Sequence, residues 1–184
     1  MIPSFEMKKN GKSEIETDFG AFVAPGALNP ITSPYLILGE CKSFNRFEEK
    51  DFERARKAAE LFPGAVLCFC TFNEALDAAE IKGLKKIVEA GREILDVGMS
   101  VNPVLILTGR ELFGQFHLGE FYELYGNDSQ MARGMFVRSE IRELCEFTQR
   151  LYLGMPSSHD VRREKMRKKA MRKQKKLASQ PATV

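Results

Sequence analysis

The stretch "YLILGECKSF", residues 35–44, begins as a buried strand and ends as something else. Leu36, Ile37, Leu38 and Gly39 run directly into Glu40, Cys41 and Lys42. On a strand, residues two apart share a face. Leu36, Leu38, Glu40 and Lys42 therefore line one side, and Ile37, Gly39, Cys41 and Ser43 the other. One apolar face turns into a carboxylate and an ammonium at the strand's C-terminal end, where open α/β sheets place their ligand crevice. Charges so close to an apolar interior need a compensating partner.

The preceding strand offers candidates. In "SEIETDFGAFV" (13–23), Glu14, Glu16 and Asp18 share one face, while Ile15, Thr17, Phe19 and Ala21 share the other. Three acids on one face repel one another unless a cation sits among them or the outer ones reach solvent. Glu14 reads as solvated. Asp18 beside Glu40 makes an oxygen-rich site suited to Mg²⁺ or Mn²⁺, hard ions that take carboxylates, carbonyls and waters. Such an ion acidifies a water and stabilises the charge of an in-line displacement at phosphorus. Lys42, one step along the same face, is placed as a point charge near the attacking water or the scissile phosphate. Cys41 faces away and reads as core.

"TD" at 17–18 followed by "GECK" at 39–42 on the next strand, then a helix and a buried strand, resembles the PD-(D/E)XK nuclease superfamily, the restriction-endonuclease-like fold. Asp18 matches the family's first acid, Glu40 and Lys42 its E-x-K, and Glu16 the acid often found two places before that Asp. The resemblance covers residues 4–72 and extends loosely to 108. It implies a mixed β-sheet flanked by α-helices and a metal-dependent hydrolysis of phosphodiesters, in DNA rather than RNA. Asp18, Glu40 and Lys42 would be the catalytic residues, with Asp18, Glu40 and Glu16 around the metal. E-x-K alone says little, since it begins at Glu6, Glu40, Glu48 and Glu80. Only the one at Glu40 follows an apolar strand and an acid 22 residues earlier on a neighbouring strand. The family core usually opens with a helix before the first strand, often carrying a further acid. Here the sequence opens on the hairpin, so that helix is expected from another segment, another subunit or a larger complex, or is dispensable, or belongs to a longer protein, and Glu6 is the weaker substitute for its acid.

The rest of the chain reads as one α/β domain over 1–155 with a basic tail over 156–184. Its 184 residues are 43% hydrophobic, enough for a core. Strands are predicted over 4–8 and 13–23 around Asn10-Gly11, over 35–43, 65–72 and 101–108. Helices are predicted after Asn45 as cap, with Phe47, Phe52, Ala55, Ala59 and Phe62 on its apolar face, then over 74–96 and 138–153. Residues 24–34 read as a loop, and 110–136 as a lid or an oligomer contact. Asp51 and Arg54 read first as an exposed i,i+3 pair, with a place facing the site as the other reading. Ser43 and Asn45 are near enough to touch substrate. Thr108-Gly109-Arg110 is either a phosphate contact or an ordinary strand exit.

Charge divides the chain. Ten of its 28 Lys and Arg fall between Val161 and Lys176 beside a single acid, Glu164, so that stretch carries +9 and the remainder −6. Arg162, Arg163, Lys165, Arg167, Lys168 and Lys169 are the candidate nucleic-acid contacts, giving salt-sensitive affinity without base reading. Four cysteines without a C-x-x-C pair suggest buried reduced thiols in a cytoplasmic protein rather than zinc or disulfides. No apolar stretch reaches the roughly 20 residues of a membrane span. The competing reading is a nuclease-like domain that only binds nucleic acid, or a scaffold subunit whose tail does the binding.

Overall fold

The apolar runs at 36–39, 66–70 and 104–107 become neighbouring strands in a computed structural model, which describes residues 2–9, 12–23, 34–93, 102–113 and 141–178. Among the described residues five strands lie in chain order in one sheet: β1 (Ile2–Lys9), β2 (Lys12–Val23), β3 (Tyr35–Lys42), β4 (Val66–Thr71) and β5 (Val104–Leu107). β2 runs antiparallel to both β1 and β3, whereas β4 runs parallel to β3 and β5 parallel to β4. Helices α1 (Glu49–Leu61), α2 (Ala78–Glu93), α3 (Gly109–Leu112), α4 (Ile141–Leu153) and α5 (Ser158–Ala178) complete the described elements. The chain is a mixed α/β fold. Its parallel half is covered on both faces, which is why β4 is apolar without alternation.

Alternate residues feed two cores. Leu38, Leu67, Phe69, Val104 and Ile106 pack with Phe52 and Ala55 of α1 and with Leu84, Ile87 and Val88 of α2. Ile37, Val66, Cys68 and Leu105 pack with Cys145 of α4 on the other side. Two glycines permit close layers. A Cβ on Gly83 would meet the Phe52 ring at 2.2 Å, and one on Gly39 would meet the Phe19 ring at 2.0 Å. β2 departs from the alternation expected of it. Ile15 joins the first core and Phe19 packs against the second. A 12-residue strand accumulates twist, and the backbone of β2 registers with β3 only from Phe19 to Val23, so its near half follows β1 instead.

The elements begin and end for local reasons. Phe47 is buried before α1 starts, its ring 6.5 Å from that of Phe52 and 5.3 Å from that of Phe69. This hydrophobic staple delays the helix, so Glu48, not the expected Asn45, is its N-cap, and Asp51 closes the turn by accepting the Glu48 N–H at 2.8 Å. α1 stops at Leu61, before Pro63 and Gly64, whose φ is +90°. α2 starts at Ala78 rather than 74. Asp77 and Glu80 exchange backbone-to-carboxylate bonds there, both at 2.8 Å. Ser157 and Asp160 open α5 in a similar way, and residues 163–172 are exposed all round.

α4 lies along the outer edge of β5. The Ile106 N–H donates to Thr148 Oγ1 at 3.2 Å, and Gln149 Nε2 donates to the Val104 carbonyl at 2.8 Å. Helical side chains thus satisfy an edge that would otherwise present bare backbone. The Asn10-Gly11 turn, residues 24–33, the side chain of Glu14 and residues 114–140, which hold most of the segment read as a lid or oligomer contact, lie outside the described residues. Among the described residues no helix is long and apolar enough to cross a membrane.

Candidate active site

The β2–β3 ladder runs from Val23 opposite Tyr35 to Phe19 opposite Gly39. Beyond that point side chains join the strands. Thr17 Oγ1 donates to the Gly39 carbonyl at 2.8 Å, and Asp18 Oδ2 accepts the Cys41 N–H at 2.6 Å. Asp18 is thereby fixed beside Glu40, near enough for its charge to disfavour ionisation of the Glu40 carboxyl. The sequence placed these two carboxylates together, and the fold does so.

Glu40 is buried, with 4% of its surface exposed. Its Oε1 faces Arg54 Nε at 3.4 Å, while Oε2 is buried without a hydrogen-bond partner. Burial lifts the carboxyl from 4.5 to about 7 against the pull of Arg54; Asp18 and Asp51 add to the rise, and Lys42 opposes it. Lys42 donates from Nζ to Asp51 Oδ1 at 3.0 Å. The same oxygen takes Arg54 Nη2 at 2.6 Å, and Arg54 Nη1 reaches Glu16 Oε2 at 3.2 Å. Asp51 itself is fully buried. Its burial alone would raise its carboxyl, but the Glu48 N–H, Lys42 and Arg54 outweigh this and hold it below the usual range.

Asp51 and Arg54 are therefore not an exposed pair. They do contact one another at i,i+3, but from the inner side of α1, where Asp51 precedes Ala55 and Ala58 on the buried stripe. That four-then-three spacing is the signal in the sequence that would have found them. Cys41 also departs from expectation: it is exposed. A hydrogen bond with Cys70 and partial burial push its thiol above the ordinary range. Cys68 and Cys145 are buried thiols as read, and Cys70 is half-buried.

No family model, no curated protein and no solved structure matches this chain. The site stands on its own chemistry. Glu16, Asp18, Glu40 and Asp51 bring four carboxylates, against the two cations Lys42 and Arg54. The described residues contain no group of three or more carboxylate, imidazole or thiol ligands arranged for a metal. A fully protein-made cage is thus not formed among them. The donors fit instead an ion that keeps most of its waters and takes two carboxylates, and the unpartnered Glu40 Oε2 is an oxygen such an ion would satisfy.

The remaining candidates sort plainly. Glu6 sits opposite Glu16 across β1 and β2 and pairs with Lys8 at 2.9 Å. Ser43 and Asn45 are exposed at the end of β3. Thr108 is committed to structure, its hydroxyl held by Tyr152 at 2.9 Å and by Glu111 at 2.8 Å. Arg163, Lys165, Arg167, Lys168 and Lys169 are exposed on α5, with Glu164 pairing Lys168 at 3.7 Å. The side chain of Arg162 lies outside the description.

A pH dependence follows from Glu40. A carboxyl raised in the folded state favours its protonated form, so its contribution to stability is full below the unfolded value of 4.5. That contribution is lost as pH climbs to about 7. In metal-free buffer this group is expected to cost the fold roughly 3 kcal/mol between those values, and Glu40→Gln to flatten that slope. Urea unfolding of both proteins across the window measures it; parallel slopes would remove the assignment.

Proposed function

We propose that this chain is a metal-dependent nuclease of the restriction-endonuclease-like class that hydrolyses phosphodiester bonds, in DNA more than in RNA. The observation that carries the reading is the buried Glu40 carboxylate with one unpartnered oxygen, set between Asp18 and Lys42 at a strand end. Asp18 and Glu40 would hold Mg²⁺ or Mn²⁺, with Glu16 assisting from the solvent side. A bound ion of this kind polarises the phosphoryl oxygen and acidifies a water.

The chain's own residues supply the rest. Lys42 presents its ammonium at the mouth of the site, where it orients the attacking water and offsets charge growing on the phosphate. Asp51 sets the position of that ammonium through their 3.0 Å contact. Arg54 offsets the charge of Glu40 across 3.4 Å. The exposed cations of α5 attract the polyanion without regard to sequence.

The test is cleavage of plasmid and single-stranded DNA with Mg²⁺ or Mn²⁺ by wild type, Asp18→Asn and Lys42→Ala. Each substitution is expected to lower the rate by about 10²-fold or more, while binding measured in EDTA stays within about threefold. Equal cleavage by all three would overturn the site.

A second reading has one observation behind it. Lys42 and Glu40 already have internal partners in Asp51 and Arg54, as a binding or scaffold subunit without catalysis would keep them. Binding with no cleavage in any of the three proteins would favour it. Loss of all binding on removal of 161–184 would favour the scaffold form.

A further inference from the structure

Three phenylalanines stand in solvent beyond the C-terminal ends of the parallel strands. Phe44 is 77% exposed, Phe72 42% and Phe113 61%. Their rings form a continuous row: Phe44 meets Phe72 edge-on with centroids 6.0 Å apart, and Phe72 meets Phe113 at 5.3 Å. Scattered exposed apolar residues need no explanation, but a contiguous exposed patch does. Phe44 and Phe72 come from the chain just beyond β3 and β4, and Phe113 closes α3, the short helix that follows β5.

The row is built on backbone contacts. The Phe72 N–H donates to the Lys42 carbonyl at 3.1 Å, which ties the middle ring to the end of the catalytic strand. The Gly109 N–H donates to the Asn73 carbonyl at 3.0 Å, and the Phe113 N–H to the Gly109 carbonyl at 3.0 Å. Gly109 has to be glycine for this approach, since a Cβ there would lie 2.4 Å from the Phe72 carbonyl oxygen. Asn73 Nδ2 reaches back to the Phe44 carbonyl at 3.4 Å. Arg110, on the same turn as Phe113, is exposed. Phe44 is two residues past Lys42, at most about 7 Å along the chain.

We infer that Phe44, Phe72 and Phe113 form a stacking platform for the unpaired bases of single-stranded DNA, next to the site that would cut it. Rings held in a row beside a phosphodiester site, on a chain whose tail attracts a polyanion, offer every base a π-face without choosing among them. This assignment rests on the nuclease reading and names its substrate: a single strand or a frayed end, rather than a closed duplex.

The test is fluorescence anisotropy in EDTA, at about 0.2 M salt to weaken the contribution of the tail. The probes are a labelled oligothymidylate and a blunt duplex of equal length. Combined Phe44→Ala and Phe113→Ala substitution is expected to weaken single-strand binding about tenfold or more, with duplex binding unchanged within about twofold. Phe44→Tyr keeps a ring and should keep the affinity. Unchanged single-strand binding, as for an apolar protein partner on this surface, overturns the platform; so does an equal loss on both probes, or a loss in Phe44→Tyr. Because nothing is cleaved in EDTA, a protein that never cuts but shows the single-strand-selective loss removes the nuclease reading and keeps the platform. One that cuts and binds without regard to these rings does the reverse.

Discussion

Asp51→Ala is expected to destabilise the fold by about 3 kcal/mol, the low end for breaking a buried pair. The side chain is wholly buried and answers three donors: the Glu48 N–H at 2.8 Å, Lys42 at 3.0 Å and Arg54 at 2.6 Å. Removing it uncaps the first turn of α1 and leaves two cations facing each other with only Glu40 and Glu16 nearby. The low end applies because Lys42 and Arg54 keep 17% and 25% of their surface in water. Asp51→Asn retains an oxygen for the cap but loses the charge, and about half of the penalty should remain. Urea unfolding gives the energies. A double-mutant cycle with Lys42→Met gives the coupling, expected to exceed about 1 kcal/mol. Coupling near zero would mean that Asp51 caps a helix and does nothing for Lys42.

Glu80→Ala should cost a similar amount, about 3 kcal/mol, for an unrelated purpose. Glu80 is fully buried at the start of α2. Its Oε1 accepts the Phe47 N–H at 3.0 Å, and its Oε2 accepts the Asp77 N–H at 2.8 Å and Arg46 Nη1 at 3.0 Å. One carboxylate therefore holds the helix start and the approach to α1 together. Glu80→Gln preserves volume and one acceptor, so a smaller loss is expected. The check is the midpoint of chemical unfolding at constant slope; a change below about 0.5 kcal/mol would show that Arg46 and the two amides find water instead. This Glu also begins an E-x-K, with Lys82, and the comparison with Glu40 shows how little that triplet says away from a strand end.

Much of the fold was legible because its signals are local. β3, β4 and β5 are apolar runs of strand length, and Pro63-Gly64 ends α1, whereas its start was read three residues early because the Phe47 staple shows only in the packing. Asp18 and Glu40 were legible as a pair because both sit where an alternating face changes from apolar to acidic. Asp51 and Arg54 were misread because an i,i+3 charge pair looks the same in sequence on a wet face and a buried one. Only the packing of α1 over Glu40 decides between them. Cys41 was misread because alternation puts it on the face that Ile37 buries, yet at the end of the strand it is exposed. The row of phenylalanines has no sequence period, since its members come from three segments that meet only in the folded sheet.

The way α4 lies on β5 limits what the molecule can join. With Thr148 and Gln149 bonded to its backbone, that side of the sheet accepts no further strand, so neither fibril growth nor a partner's strand can start there. The opposite side, β1, carries Pro3 and a register shift between Met7 and Lys8, two features that spoil a straight template. Under the proposed function, contacts with DNA would then fall to side chains rather than to the main chain of either described sheet edge.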